Sequence, residues 1–160
     1  MLRDKILTLP ALLESLKNPR AEGRKVVFTN GCFDLLHAGH VLYLEEARAL
    51  GDILVLGLNS DSSVQRLKGP SRPINKQDER AVVLAALESI SYVCIFAEDT
   101  PYELIKALQP DILVKGGDWP VSSIVGSDIV LARGGQVKSL GFSEGLSSTN
   151  IIQSILRDGK

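Results

Sequence analysis

Histidine, cysteine, tryptophan and methionine are scarce in this chain: two, two, one and one among 160 residues. Cys32 and Cys94 follow neither disulfide nor zinc-pair spacing, so reduced thiols in a cytoplasmic setting are the economical reading. Charge of one sign is not in excess either. Eighteen basic residues against nineteen acidic ones leave a net charge of -1, which excludes a global pull toward nucleic acid or membranes but not a local basic pocket. The longest apolar stretch, Ala81 to Ala97, is broken by Glu88 and suits a helix followed by a strand better than a membrane span. The opening "MLRDKILTLPALLESLK" is charged throughout and lacks the apolar core and cleavage site of a signal peptide. No internal repeat, low-complexity tract or linker stands out. One domain over 1–160, with 1–24 as an N-terminal helical extension, is therefore expected, serving small-molecule partners rather than nucleic acid or membrane.

What is present is ordinary for a globular protein, 44% hydrophobic and 23% charged. Nearly continuous apolar runs predict strands at Lys25–Thr29, Ile53–Leu58, Tyr92–Phe96, Ile112–Val114, Ile129–Leu131 and Gln136–Leu140. Runs of this kind suit a parallel sheet covered on both faces. Helical spacing falls between them, at Gly39–Leu50 (ending at Gly51) and Gln77–Glu88. A further helix starts with Thr100 as cap, Pro101 in the first turn and Glu103 completing a capping box, and stops before Pro110. The last runs from about Thr149 to Arg157, with Ile151, Ile152, Ile155 and Leu156 as an inward stripe. Alternating strands and helices predict an α/β, Rossmann-like, doubly wound domain with a mainly parallel sheet of about five strands and helices on both faces. "KGPSRPIN", Lys68 to Asn75, is the most loop-like stretch and is expected to be a mobile, basic flap.

Both histidines lie in "TNGCFDLLHAGH", directly after the first strand. Ligands of open α/β sheets bind outside the carboxyl ends of the strands. Gly31 permits a close turn, and Gly39 permits close approach to a helix start whose free N–H groups favour phosphate. His37 and His40, three apart, are able to face one way and donate to polyphosphate oxygens. Two plainer readings stay open: polar residues near a helix start, and metal chelation by Cys32, Asp34, His37 and His40, which lacks a CxxC pair or third histidine. "EGLSSTNII" places Ser147, Ser148 and Thr149 at the last helix start, a second anion site or simply an N-cap. Lys68, Arg72, Arg80, Lys115, Asn59, Asp118 and Trp119 follow strands or lie on the loop, where solvated surface charge is the plainer reading for each cation except those just beyond strand ends, such as Lys115.

"GCFDLLHAGH" resembles the GxFDxxHxGH signature of the nucleotidylyltransferase superfamily, and "SSTNII" its second signature. The resemblance implies that His37 and His40 contact nucleotide phosphates and stabilise the transition state. It implies further that Thr29, Asn30, Gly31, Phe33 and Asp34 line the same pocket, that Asp34 helps place Mg²⁺, and that Ser148 and Thr149 touch the β and γ phosphates. Taken with "NSDSSVQRLKGPSRPINKQDERAVVLAAL", "VKGGDW" and "IVG" at Ile124–Gly126, the chain looks like the branch that makes ADP-heptose from ATP and heptose 1-phosphate for the lipopolysaccharide core. It would be a free-standing version without the sugar kinase. Lys68 or Arg72, with Lys115, would close over the phosphates. Arg80, Gly116 and Gly126 would adjoin the nucleotide, with Asn59, Asp118 and Trp119 toward the acceptor. A homodimer is implied by resemblance alone. Phe142-Ser143-Glu144 replaces the Arg-Thr of the cytidylyltransferase branches, which counts against CTP. Other acceptors, such as glycerol 3-phosphate, and a non-catalytic nucleotide sensor remain the alternatives.

Overall fold

The computed structural model describes residues 1–141 and 146–159. The β-branched and leucine-rich runs form five strands: β1 (Val26–Gly31), β2 (Ile53–Asn59), β3 (Tyr92–Phe96), β4 (Ile112–Gly116) and β5 (Gln136–Leu140). All pair in parallel in the order β3-β2-β1-β4-β5. Every residue of β2 is buried, as a strand covered on both faces requires.

Alternation along the strands divides the core in two. Val26 and Phe28 of β1 and Ile53 and Val55 of β2 join Leu12 and Leu16 of α1 (Leu9–Ala21) and Leu104, Ile105 and Leu108 of α5 (Tyr102–Leu108). Val27, Leu54, Leu56 and Leu58 point the other way, into Tyr43, Leu44 and Ala47 of α2 (Ala38–Arg48) and Ala81, Leu84 and Ala85 of α4 (Gln77–Ala85). The N-terminal segment therefore supplies core: Leu12 and Leu16 are fully buried, and Ile6, after a 3₁₀ turn at Leu2–Lys5, bridges Val93.

Three expectations are corrected. Ile129–Leu131 is not a strand but the middle of α6 (Ser127–Ala132). A three-residue apolar run does not discriminate, and Gly126 decides: its positive φ of 87° starts the helix, and a Cβ there would lie 2.6 Å from Ile105 Cδ1. Thr100 does not cap α5. Pro101 takes the N-cap position, its carbonyl accepting from Ile105 N–H at 2.9 Å, and no side chain caps the helix. Lastly, Ile155 and Leu156 of α7 (Ser148–Asp158) are each 64% exposed, because no described element packs over that part of the helix. A helix not foreseen, α3 (Asp61–Lys68), buries only Ser63 and Val64, leaves Leu67 exposed, and is capped by Ser60 Oγ accepting from Ser63 N–H.

The sheet order reverses between β1 and β4, so the chain winds β1–β2–β3 to one side and β4–β5 to the other. The crevice beyond the carboxyl ends at that reversal is where α/β proteins bind ligands.

Candidate active site

A cavity of about 410 Å³ opens at this reversal. Asn30 and Gly31 at the end of β1, Phe33 and Asp34 just after it, Asn59 at the end of β2, and Lys115 and Gly116 at the end of β4 form its floor. His40 on α2, Lys68 at the end of α3, and Ser148 at the start of α7 form walls.

The two imidazoles stack, with centroids 3.8 Å apart and planes at 23°. Phe33, held at a φ of 45°, tilts against His40 at 5.1 Å. His40 faces the cavity, whereas His37, the N-cap residue of α2, lines an adjoining groove of about 340 Å³ with Leu146, Ser147 and Ile151. Gly39 makes this possible, since a Cβ there would sit 3.0 Å from the His37 ring and 3.3 Å from Leu146 Cβ. The Nδ1 atoms of both histidines are buried and unpaired among the described residues. Burial, reinforced by the neighbouring His37 and Lys68, pushes the His40 pKa down to about 4; burial lowers that of His37 too. Both rings are thus neutral at pH 7, and an arriving anion would favour their protonated forms.

This sets a pH dependence. A histidine whose folded pKa lies below its unfolded value of about 6.5 leaves the unfolded chain holding the extra proton between those values. Stability therefore falls as pH drops from about 6.5 toward 4. His40→Gln is expected to flatten that slope, as read by urea midpoints at pH 7, 6, 5 and 4.5. An unchanged slope would rule out His40 as its source.

Asp34 is almost wholly buried, and its carboxylate is occupied. Arg72 Nε donates to Oδ2 at 2.8 Å, Ile74 N–H to both oxygens at 2.9 and 2.8 Å, and Asn75 N–H to Oδ1 at 2.9 Å. Burial alone would raise its pKa, but these donors outweigh it and hold the group below the usual carboxylate range. The expected mobile flap is instead tied down at Arg72, Ile74 and Asn75. Asp34 does not fit the metal role expected of it, because its lone pairs are already taken. Nor do Cys32, Asp34, His37 and His40 gather: among the described residues no three His, Cys, Asp or Glu side chains are placed to share an ion.

Arg80 is also placed differently from a nucleotide contact. Its side chain is fully buried, donating from Nη1 to Cys32 O (2.7 Å) and Asn59 O (2.9 Å), from Nε to Asn75 O (3.0 Å) and from Nη2 to Asp61 Oδ1 (2.8 Å). Thr29 lies beneath the floor, its hydroxyl 2.6 Å from that of Tyr43, whose pKa burial raises to about 12. Arg72 borders the cavity only through Asp34, and its Nη2 is buried and unpaired among the described residues. Ser148 reaches the cavity while donating to Leu35 O at 2.6 Å. Ser147 caps Asn150 N–H at 3.0 Å and borders the groove, and Thr149 lines neither space. Gly126 packs on Ile105 while its neighbour Val125 lines the cavity. Asp118 and Trp119 lie outside it, exposed; the Trp119 indole donates to Gly116 O at 3.1 Å and sits 5.2 Å from Lys115 Nζ. Phe142-Ser143-Glu144 lies outside the described residues.

Sequence reasoning missed Tyr43, Leu67, Asp99, Thr100 and Pro101, all on the cavity wall. The last three follow β3 directly, so the strand-end rule applied to β1, β2 and β4 would have reached them.

The cytidylyltransferase-like family model matches residues 28–154, from within β1 into α7. This chain belongs to the cytidylyltransferase-like family. Its membership makes it a nucleotidyltransferase by class, and the HxGH element falls inside the matched span. The bifunctional protein HldE of Trichlorobacter lovleyi is 59% identical over 152 residues, 95% of this chain and 31% of that protein. HldE of Ectopseudomonas mendocina is 56% identical over 150 residues, 94% and 32%. The chain thus spans about a third of the length of these curated relatives. Among solved structures, a lipopolysaccharide core biosynthesis protein from Thermoplasma volcanium aligns with a TM-score of 0.60 at 28% identity, over 76% of this chain and 98% of that one. Pantothenate synthetase from Thermus thermophilus has the same TM-score at 16% identity, over 92% and 67%, which speaks to the fold alone. Among the described residues no helix is long and apolar enough to cross a membrane.

Proposed function

We propose that this chain transfers AMP from ATP to heptose 1-phosphate, releasing pyrophosphate and forming ADP-heptose. The observation that carries the reading is the single cavity joining His40, Lys68, Lys115 and Ser148 at the β1/β4 reversal. Support for the sugar comes from the "NSDSSVQRLKGPSRPIN" and "VKGGDW" segments, from HldE at 59% identity, and from the lipopolysaccharide core biosynthesis relative.

An oxygen of the sugar phosphate attacks the α-phosphorus of ATP; the new P–O bond forms as the bond to the β-phosphate oxygen breaks, and pyrophosphate leaves. The nucleophile is already ionised near neutral pH, so no general base is needed, and the work is positioning and charge neutralisation. His40 donates to the phosphate oxygens, Lys68 and Lys115 on the cavity lining neutralise charge, and the N–H groups at the starts of α2 and α7 add fixed donors. Mg²⁺ bound with ATP would offset phosphate charge. With Asp34 occupied, it would enter as the counter-ion of the nucleotide, and no step here depends on it.

The test is pyrophosphate release, crossing ATP, CTP, GTP and UTP with heptose 1-phosphate, glycerol 3-phosphate and pantetheine phosphate. Release confined to ATP with heptose 1-phosphate is expected. Release with another pair would keep the chemistry and discard the substrate. Nucleotide binding without release from any pair would favour a sensor.

A further inference from the structure

We infer that Asp99 and Thr100 recognise the sugar hydroxyls of the acceptor, a deepening that rests on the sugar-phosphate reading above. The cavity is elongated across the sheet. Its lining runs from Lys115 at the end of β4, past β1 and β2, to Asp99 and Thr100 beyond β3. Three strand spacings of about 4.8 Å separate β4 from β3, so the ends lie roughly 14 Å apart. One end and the middle carry phosphate-binding chemistry: His40, Ser148, Lys68, Lys115 and two helix starts. The far end carries a carboxylate, a hydroxyl and the Asn59 amide.

A carboxylate shared with Arg66 adds no attraction for a triphosphate, but its free oxygen accepts hydrogen bonds from hydroxyls. The β3 end therefore suits the uncharged, hydroxyl-rich part of the acceptor, and the phosphates lie toward β1 and β4. The Asp99 side chain is also held without being used up. Arg66 Nε donates to Asp99 Oδ1 at 2.6 Å, its Nη2 donates to Ala97 O, and Oδ2 has no partner among the described residues. The Thr100 hydroxyl would have had a folding role as the cap of α5, but Pro101 occupies that position and no side chain caps the helix. Two polar groups thus stand on the cavity wall with hydrogen-bonding capacity that the fold does not use.

The experiment is steady-state pyrophosphate release by wild type, D99N and D99A with ATP and heptose 1-phosphate varied separately, repeated with monodeoxy sugar 1-phosphates. Loss of one charged hydrogen bond is expected to raise KM for the sugar phosphate by roughly tenfold to hundredfold, leaving KM for ATP within about twofold. The deoxy analogue lacking the bonded hydroxyl is expected to lose its disadvantage in D99A, a response that a merely disturbed loop would not produce. Unchanged KM for the sugar phosphate, or a rise confined to ATP, overturns the assignment while leaving the reaction intact. Failure of wild type to turn over any sugar 1-phosphate overturns both. Asp99 is exposed, with 65% of its side chain open to solvent, and matching thermal melts would exclude unfolding as the cause.

Discussion

His40→Ala is expected to lower the rate of pyrophosphate release by roughly 10²–10³, with the protein still folded. The size follows from what the ring does. A donor aimed at charge that develops on phosphate oxygens contributes far more to the transition state than to the bound ground state. The loss should therefore fall on kcat and kcat/KM together, with little change in nucleotide affinity. The fold has less at stake: no hydrogen bond to the His40 side chain exists among the described residues, and its packing partners are the Phe33 and His37 rings. A thermal melt within a few degrees of wild type, alongside the rate, separates the two effects. His37→Ala is informative by comparison. Its ring borders the adjoining groove, so a loss as large as that of His40→Ala would mean that the ring turns into the cavity when phosphate binds. Full activity in both variants would remove the histidines from the mechanism.

Much of this was legible from the chain because the informative signals were local. The five strands are β-branched runs whose burial does not depend on details of neighbours. The HxGH element sits one short turn beyond the first of them, where geometry alone places it in the crevice. What escaped was set by distant partners. Asp34 read as a metal ligand because a carboxylate beside histidines suggests one, yet Ile74 and Asn75, forty residues on, fill its oxygens. Ile155 and Leu156 read as an inward stripe because their spacing is helical, but spacing states which residues share a face and not whether anything covers it. Thr100 was passed over for the opposite reason: a local capping pattern gave it a role that Pro101 holds instead.

Arg80→Met is expected to cost roughly 3–5 kcal/mol of stability, the range for removing one partner of a buried charged network. The cationic series "KGPSRPINKQDER" makes Arg80 look like one phosphate-binding residue among several, but its environment argues otherwise. Its guanidinium is fully buried and bonds four oxygens from four places: Cys32 after β1, Asn59 at the end of β2, Asn75 in the loop, and Asp61 at the start of α3. No apolar side chain replaces those donors, so the substitution strands buried carbonyls as well as the Asp61 charge, and unpaired buried groups are what make such losses large. In a chain of this size the change corresponds to roughly 10 °C in Tm. The site should weaken as a consequence, because Cys32 and Asn59 belong to the cavity and Asn75 also donates to Asp34. Denaturant melts distinguish this from a nucleotide contact. A bridging Arg80 predicts a lowered midpoint with ATP absent, and KM values that rise for both substrates because the whole rim loosens. A nucleotide-binding Arg80 predicts an unchanged midpoint and a defect confined to ATP. Arg80→Lys sharpens the distinction, since a point charge keeps attraction for phosphate but does not span four acceptors set around a planar fork. If Arg80→Lys destabilises nearly as much as Arg80→Met, the fork geometry rather than the charge is what holds the ends of β1 and β2 together.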